Sequence, residues 1–250
     1  MRKVLLYFAL KYHGDYTKMY KAIKEKELIS RSELEAVEER IKCKYLTILD
    51  PKYPMWLKSI STPPIVLFYY GDIDLINKPN KIAIIGSRNN SVYGESMTKK
   101  IIKELKEYDC VIVSGMALGI DSIAHECALA NQIPTIAILG GGIDYCYPPS
   151  KIQLYNTLKE KGLILSEYPF DNPPEANNFL IRNRIIAALS DKIVVVEANV
   201  KSGTMNTVAY GLDMGKDIYA VPTLANVNSG CNVLIKECAK LVENAKDIYD

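Results

Sequence analysis

Six short apolar runs, spaced by helix-length segments, constrain this 250-residue chain more than any other feature. They are Ile82–Ile85, Val111–Val113, Thr135–Leu139, Leu163–Leu165, Ile193–Val196 and Ile218–Val221. Each is continuous rather than alternating, the mark of a strand covered on both faces. Between them, about Gly94–Glu107, Asp121–Asn131, Ser150–Lys161, Arg182–Leu189 and Thr204–Met214 read as helices. Such alternation gives an α/β fold with a doubly wound, largely parallel sheet, here over residues 81–250. Upstream, residues 1–44 read as a small N-terminal helical region, with a cap at Ser30 or Ser32. Residues 45–80 read as a linking segment with one extra strand over Ile65–Tyr70.

Composition narrows the classes. No run of 18 apolar residues exists, so no membrane span is expected. The apolar start Met1–Leu10 is broken at Lys11 with no small-residue cleavage site after it, and reads as a helix of a cytoplasmic protein. The six cysteines (Cys43, Cys110, Cys127, Cys146, Cys231 and Cys238) form no C-x-x-C pair, and there are two histidines. Reduced thiols and no metal site are therefore expected. The net charge is +2, but residues 1–44 hold 11 Lys/Arg against 7 Asp/Glu, so the remainder is slightly acidic. A site for a polyanion in the larger region must be a local focus of charge.

Ligands of such sheets lie beyond the carboxyl ends of the strands. Those ends carry Gly86-Ser87-Arg88, Ser114-Gly115, Gly140-Gly141-Gly142, Ser166-Glu167 and Glu197-Ala198. Glycine lets a backbone approach a ligand, and a following helix N-terminus favours an anion, so several such turns on one edge point to a phosphate-bearing ligand. The familiar loops are missing: no G-x-G-x-x-G follows the first strand, and there is no G-x-x-x-x-G-K-[ST] and no G-x-S-x-G. Dehydrogenase, P-loop NTPase and hydrolase readings lose ground, and no cofactor is expected. The block Phe179-Leu180-Ile181-Arg182-Asn183-Arg184 adds an aromatic ring and two guanidinium groups within six residues. Taken alone it is either a helix with wet arginines and Phe179 in the core, or equipment for a nucleic-acid strand, with arginines on phosphates and Phe179 stacking on a base.

In order, the motifs resemble those of the DNA-processing protein A family (DprA, also called Smf). They run Ile84-Ile85-Gly86-Ser87-Arg88, Ser114 through Gly119-Ile120-Asp121 to His125, Thr135 through Gly140-Gly141-Gly142 to Asp144 with Tyr147-Pro148, and Ser166-Glu167-Tyr168-Pro169. The arginine block follows, then Val196-Glu197-Ala198, Ser202-Gly203-Thr204, Ala220-Val221-Pro222 and Asn232–Ile235. The match covers about residues 45–245. It implies a Rossmann-like core that binds single-stranded DNA without sequence preference, protects incoming DNA in natural transformation, loads a RecA-type recombinase and dimerises, with no catalytic activity. It further implies that Arg88 contacts DNA, that Phe179 stacks, and that Arg182, Arg184 and Asn183 reach the strand. Ser87, Ser114, Gly115, Gly140, Gly141, Ser202, Gly203 and Thr204 would offer backbone and hydroxyl groups to phosphate. Glu167 and Glu197 would orient arginines, one of which is then structural, and His125 would be a packed helix residue.

There are departures. Leu180 stands where the family has proline, Glu175-Ala176-Asn177-Asn178 lacks the basic residue often found before the phenylalanine, and Thr223 and Cys238 replace glycines. A shallower salt dependence of binding is expected. The N-terminal region is expected to be abbreviated, and the C-terminal winged-helix-like domain of longer members to be lacking. Two other readings are a nucleotide-binding sensor and a phosphoribohydrolase-type enzyme of related fold. The latter's P-G-G-x-G-T-x-x-E motif is poorly met: Val200-Lys201-Ser202 precede Gly203-Thr204, and Thr207 takes the glutamate's place.

Overall fold

The computed structural model describes residues 1–250 apart from Asp171, Asn226 and Cys238. The thiol expected of Cys238 thus lies outside the described residues; the other five cysteines are free. Among the described residues nine strands form one sheet: β1 (Lys44–Thr47), β2 (Val66–Gly71), β3 (Lys81–Gly86), β4 (Val111–Ser114), β5 (Thr135–Ile138), β6 (Leu163–Ser166), β7 (Lys192–Glu197), β8 (Asp217–Ala220) and β9 (Lys240–Leu241). Their spatial order is β1-β2-β6-β5-β4-β3-β7-β8-β9. β2 runs antiparallel to both its neighbours, and the seven strands from β6 to β9 are mutually parallel.

The helices are α1 (Arg2–Lys11), α2 (Tyr16–Lys24), α3 (Arg31–Ala36), α4 (Met55–Lys58), α5 (Val92–Leu105), α6 (Ile120–Ala130), α7 (Ile152–Lys161), α8 (Ala176–Leu189), α9 (Gly203–Asp213) and α10 (Gly230–Lys236). The continuous apolar runs do what their pattern requires. In β3, Ile82 and Ile84 pack with Ile101 and Ile102 of α5, while Ala83 and Ile85 join Ile185 and Ala188 of α8 on the opposite face. Period-two side chains thus feed two helical layers at once. Each fully buried isoleucine contributes about 1.5–3 kcal/mol.

From β3 the chain winds outward to β6, and α8 then carries it back to lay β7 on the other flank of β3. That reversal opens a crevice at the carboxyl ends of β3 and β7. The polar contact from Lys81 N–H to Asp191 Oδ2 (2.8 Å) fixes the start of the new pair.

Three features differ from expectation. The linking segment supplies two strands, both paired into the main sheet, since β1 begins at its boundary. Helix α8 starts at Ala176 rather than Arg182, so Phe179 is a helical residue. Its N-cap, Glu175, makes no side-chain capping bond, leaving no signal to read in the sequence. The short α10 and β9 have no pattern long enough to register.

The N-terminal helices pack on the same sheet. All of Leu5–Leu10 is buried, against Phe68, Ile164 and the α7 residues Leu154 and Leu158. Ser30 and Glu33 form a reciprocal capping box at α3. Among the described residues no helix is long and apolar enough to cross a membrane.

Candidate functional site

A cleft of about 450 Å³ occupies the switch point. Gly86, Ser87 and Arg88 line it from β3, Phe179, Arg182 and Asn183 from α8, and Ser202, Gly203 and Thr204 from α9. Phe179, Arg182, Asn183 and Ile186 fall at i, i+3, i+4 and i+7, so the helix that was read short presents one continuous face to the cleft. The β3 turn is held rigidly: Ser87 N–H donates to Glu197 O (2.7 Å), and Ile120 N–H donates to Ser87 O (3.1 Å). Gly119, at φ +77°, permits that close approach, since a Cβ there would lie 2.2 Å from Ser87 O. Thr204 Oγ1 donates to Gly86 O (3.1 Å), and Asn183 Nδ2 donates to Gly203 O (3.2 Å), tying the start of α9 to both neighbours. Ser202 Oγ is buried without a partner among the described residues, beside the partial positive charge of that helix start.

Arg88 is exposed at the mouth, its guanidinium 4.7 Å from the Phe179 ring centroid. It forms no ion pair among the described residues. Arg182 and Arg184, expected on phosphates, are each only 3% exposed. Arg184 makes a two-pronged bond to Glu167 (2.6 and 3.1 Å), and its Nε donates to Thr62 O (2.9 Å). Arg182 Nη1 donates to Gly115 O (2.7 Å) and to Ile138 O, while Nε reaches Asn183 Oδ1. Arg184 spends its donors on the protein, as burial of a charge demands, whereas Arg182 bonds through Nε and Nη1 and still lines the cleft. Glu167 thus orients an arginine. Glu197, expected to do the same, instead accepts from Ser91 N–H and Oγ (2.7 Å for the hydroxyl) at the start of α5.

The carboxyl-end glycines also differ from the expectation of ligand approach. A Cβ on Gly115 would sit 2.6 Å from the Arg182 guanidinium, one on Gly140 2.7 Å from Phe179 Cδ1, and one on Gly141 3.0 Å from Pro174. These glycines seat the protein's own side chains. Ser114 is buried, donating to Ile84 O (2.7 Å). So Ser87, Arg88, Phe179, Arg182, Asn183, Ser202, Gly203 and Thr204 come together, while Ser114, Gly115, Gly140, Gly141 and Arg184 lie behind the cleft wall.

Asp121 was not anticipated as a site residue, although it closes the Gly119-Ile120-Asp121 motif. It lines the cleft floor and accepts from Gly115 N–H (3.2 Å). Burial pushes its carboxyl up from the ordinary range, against the pull of Arg182 and of backbone N–H groups. Burial also lowers Arg182 to about 10, with Asp121 opposing. For Arg184, burial pulls down but the Glu167 charge and hydrogen bond outweigh it, so it is raised. Behind them His125, in α6, is fully buried with Nδ1 on Thr135 Oγ1 (2.7 Å) and Nε2 unpartnered; burial and then Arg182 lower it to about 3. It has no access to the cleft. Among the described residues no group of three metal-ligating side chains forms.

An exposed cation, an aromatic ring and a helix start around one cleft suit a phosphate-bearing polymer better than a small apolar ligand. The family model of DNA recombination-mediator protein A matches residues 44–250. DNA processing protein DprA of Bacillus subtilis is 38% identical over 207 residues, spanning 82% of this chain and 70% of that protein. The X-ray structure of DprA from Streptococcus pneumoniae matches with a TM-score of 0.83 at 36% identity, over 93% of this chain and 81% of that one. DprA from Helicobacter pylori, whose structure was described for its single-stranded DNA binding mode, matches with a TM-score of 0.75 at 34% identity, over 83% of this chain and 94% of that one. The motifs, the doubly wound sheet and the cleft at its switch point therefore have one source: this chain belongs to the DNA recombination-mediator protein A (DprA/Smf) family.

Proposed function

We propose that this chain binds single-stranded DNA without sequence preference, with the strand's phosphates at the mouth of the β3–β7 cleft. The observation that carries the reading is Arg88, exposed and free of ion pairs among the described residues, stacked on Phe179 and facing the start of α9. A guanidinium with unspent donors can fork onto a phosphate, and the backbone N–H groups at the α9 start supply further donors. Phe179 gives a base of any identity a π-face once Arg88 moves onto phosphate. Arg182, Asn183 and Arg184 serve by holding that surface in place. The protein works as a binding protein in the cytoplasm rather than as an enzyme. It protects incoming DNA and delivers the strand to a RecA-type recombinase as a homodimer, which brings two clefts to one strand.

Fluorescence anisotropy with labelled oligo-dT, duplex DNA and a mononucleotide across a salt series tests this. Salt-sensitive binding of oligo-dT over duplex is expected. Saturable mononucleotide binding with none to oligo-dT would make the cleft a small-molecule site. Strand exchange by a recombinase on protein-coated DNA tests delivery, and sedimentation equilibrium tests the dimer; a monomer with no effect on strand exchange would remove both roles.

A further inference from the structure

The aromatic surface at the cleft mouth does not end at Phe179. Tyr147, in the segment after β5, lies with its ring centroid 5.5 Å from that of Phe179, tilted by 48°. It is 40% exposed and lies outside the cleft lining. No hydrogen bond engages its hydroxyl among the described residues. Phe179 itself is hemmed in, with Gly140 against its edge and the Arg88 guanidinium over its ring. Of the two rings, Tyr147 is the more exposed in the protein as it stands.

We infer that Tyr147 is a base-stacking residue of the single-strand site, receiving the base of the nucleotide next to the one held at Arg88 and Phe179. The inference rests on the single-strand reading above and deepens it. A ring spacing of 5.5 Å lies within the reach of one nucleotide step of an extended strand, so neighbouring bases can use neighbouring rings. Stacking of this kind ignores base identity, because every base has a π-face. It also sets a direction, since the strand leaves the Arg88 side of the cleft and passes over Phe179 toward the segment that follows β5.

The test uses the full chain with Tyr147→Leu, which keeps bulk but loses the π-face, and Tyr147→Phe, which keeps the face. Oligo-dT affinity is expected to fall about tenfold in Tyr147→Leu and to stay within about twofold of wild type in Tyr147→Phe, with the salt slope unchanged in both because no phosphate contact is lost. A scan of single abasic sites through the oligonucleotide adds a readout that a structural role would not move. One position should weaken wild-type binding and have no further effect on Tyr147→Leu. Equal affinity of Tyr147→Leu and wild type, or an abasic penalty that persists unchanged in the variant, overturns the inference and leaves single-strand binding intact. Wild-type protein that fails on oligo-dT overturns the single-strand reading itself, and this inference with it.

Discussion

At the mouth of the cleft Arg88 is exposed and Phe179 half-buried, whereas one helical turn further along α8 Arg182, on the cleft wall, and Arg184, behind it, are both buried. The same chemical group occurs at both levels. At the mouth its donors are unspent; beneath, they go to Glu167, Thr62, Gly115 and Ile138. The difference teaches that an arginine-rich motif need not be a row of phosphate contacts. Part of it is the frame that allows a single exposed cation to stand in a fixed place.

The comparison can be broken at its lower level first. Arg184→Ala leaves Glu167 buried and uncompensated, and should cost about 3–5 kcal/mol of stability by urea denaturation. Unchanged stability with DNA binding lost would make Arg184 a ligand after all. At the upper level, Arg88→Ala should weaken oligo-dT binding by about 1.5–3 kcal/mol, as expected for a charged hydrogen bond, with an unshifted Tm. The slope of log K against log salt should fall by about 0.7. A shifted Tm would mean that Arg88 also belongs to the frame. Between the levels, Gly140→Ala pushes directly on Phe179 and should destabilise by about 1–3 kcal/mol, with a parallel loss of binding. Normal binding in that variant would divorce Phe179 from the strand.

The pH response separates the levels more finely. His125 is held to about 3 in the folded chain and returns to its ordinary value when unfolded, so the unfolded state binds the extra proton. Stability should therefore fall as pH drops from about 6.5, by up to about 1.4 kcal/mol per pH unit. Asp121, raised by burial, titrates with the opposite sign, so the slope is assigned by its loss in His125→Gln, which retains Asp121. If wild type and His125→Gln unfold with the same pH dependence between 5 and 7, His125 does not contribute.

Much of the scaffold was legible. The six apolar runs are all strands because burial on both faces leaves no other arrangement for so short a continuous run. The beginning of α8 was not legible, because Glu175-Ala176-Asn177-Asn178 offers no side-chain cap and its asparagines read as loop. The cation at the cleft mouth could be placed from Gly86-Ser87-Arg88, since a strand end points its next residues at the ligand edge. What could not be read was that both arginines of the block are buried, and how Arg184 is held there. That depends on Glu167, a residue 17 positions earlier whose carboxylate meets Arg184 only after α8 has folded back over the sheet. Nor could the sequence tell that the glycines at the strand ends make room for Arg182 and Phe179 rather than for a ligand.

The return of the chain to the flank of β3 has a consequence for how the molecule comes into being. β3 finds its first neighbour, β4, about thirty residues later, but must wait some 110 residues for β7, the separation spanned by the Lys81–Asp191 contact. Pairings so distant along the chain form slowly, because loop closure precedes any reward. A nascent or truncated chain ending before β7 would carry β3 as a bare, hydrophobic edge open to pairing with other chains. The cleft, whose walls include α9, is complete only when β7 and α9 have docked, so the step that covers the exposed flank of β3 is also the step that builds the site.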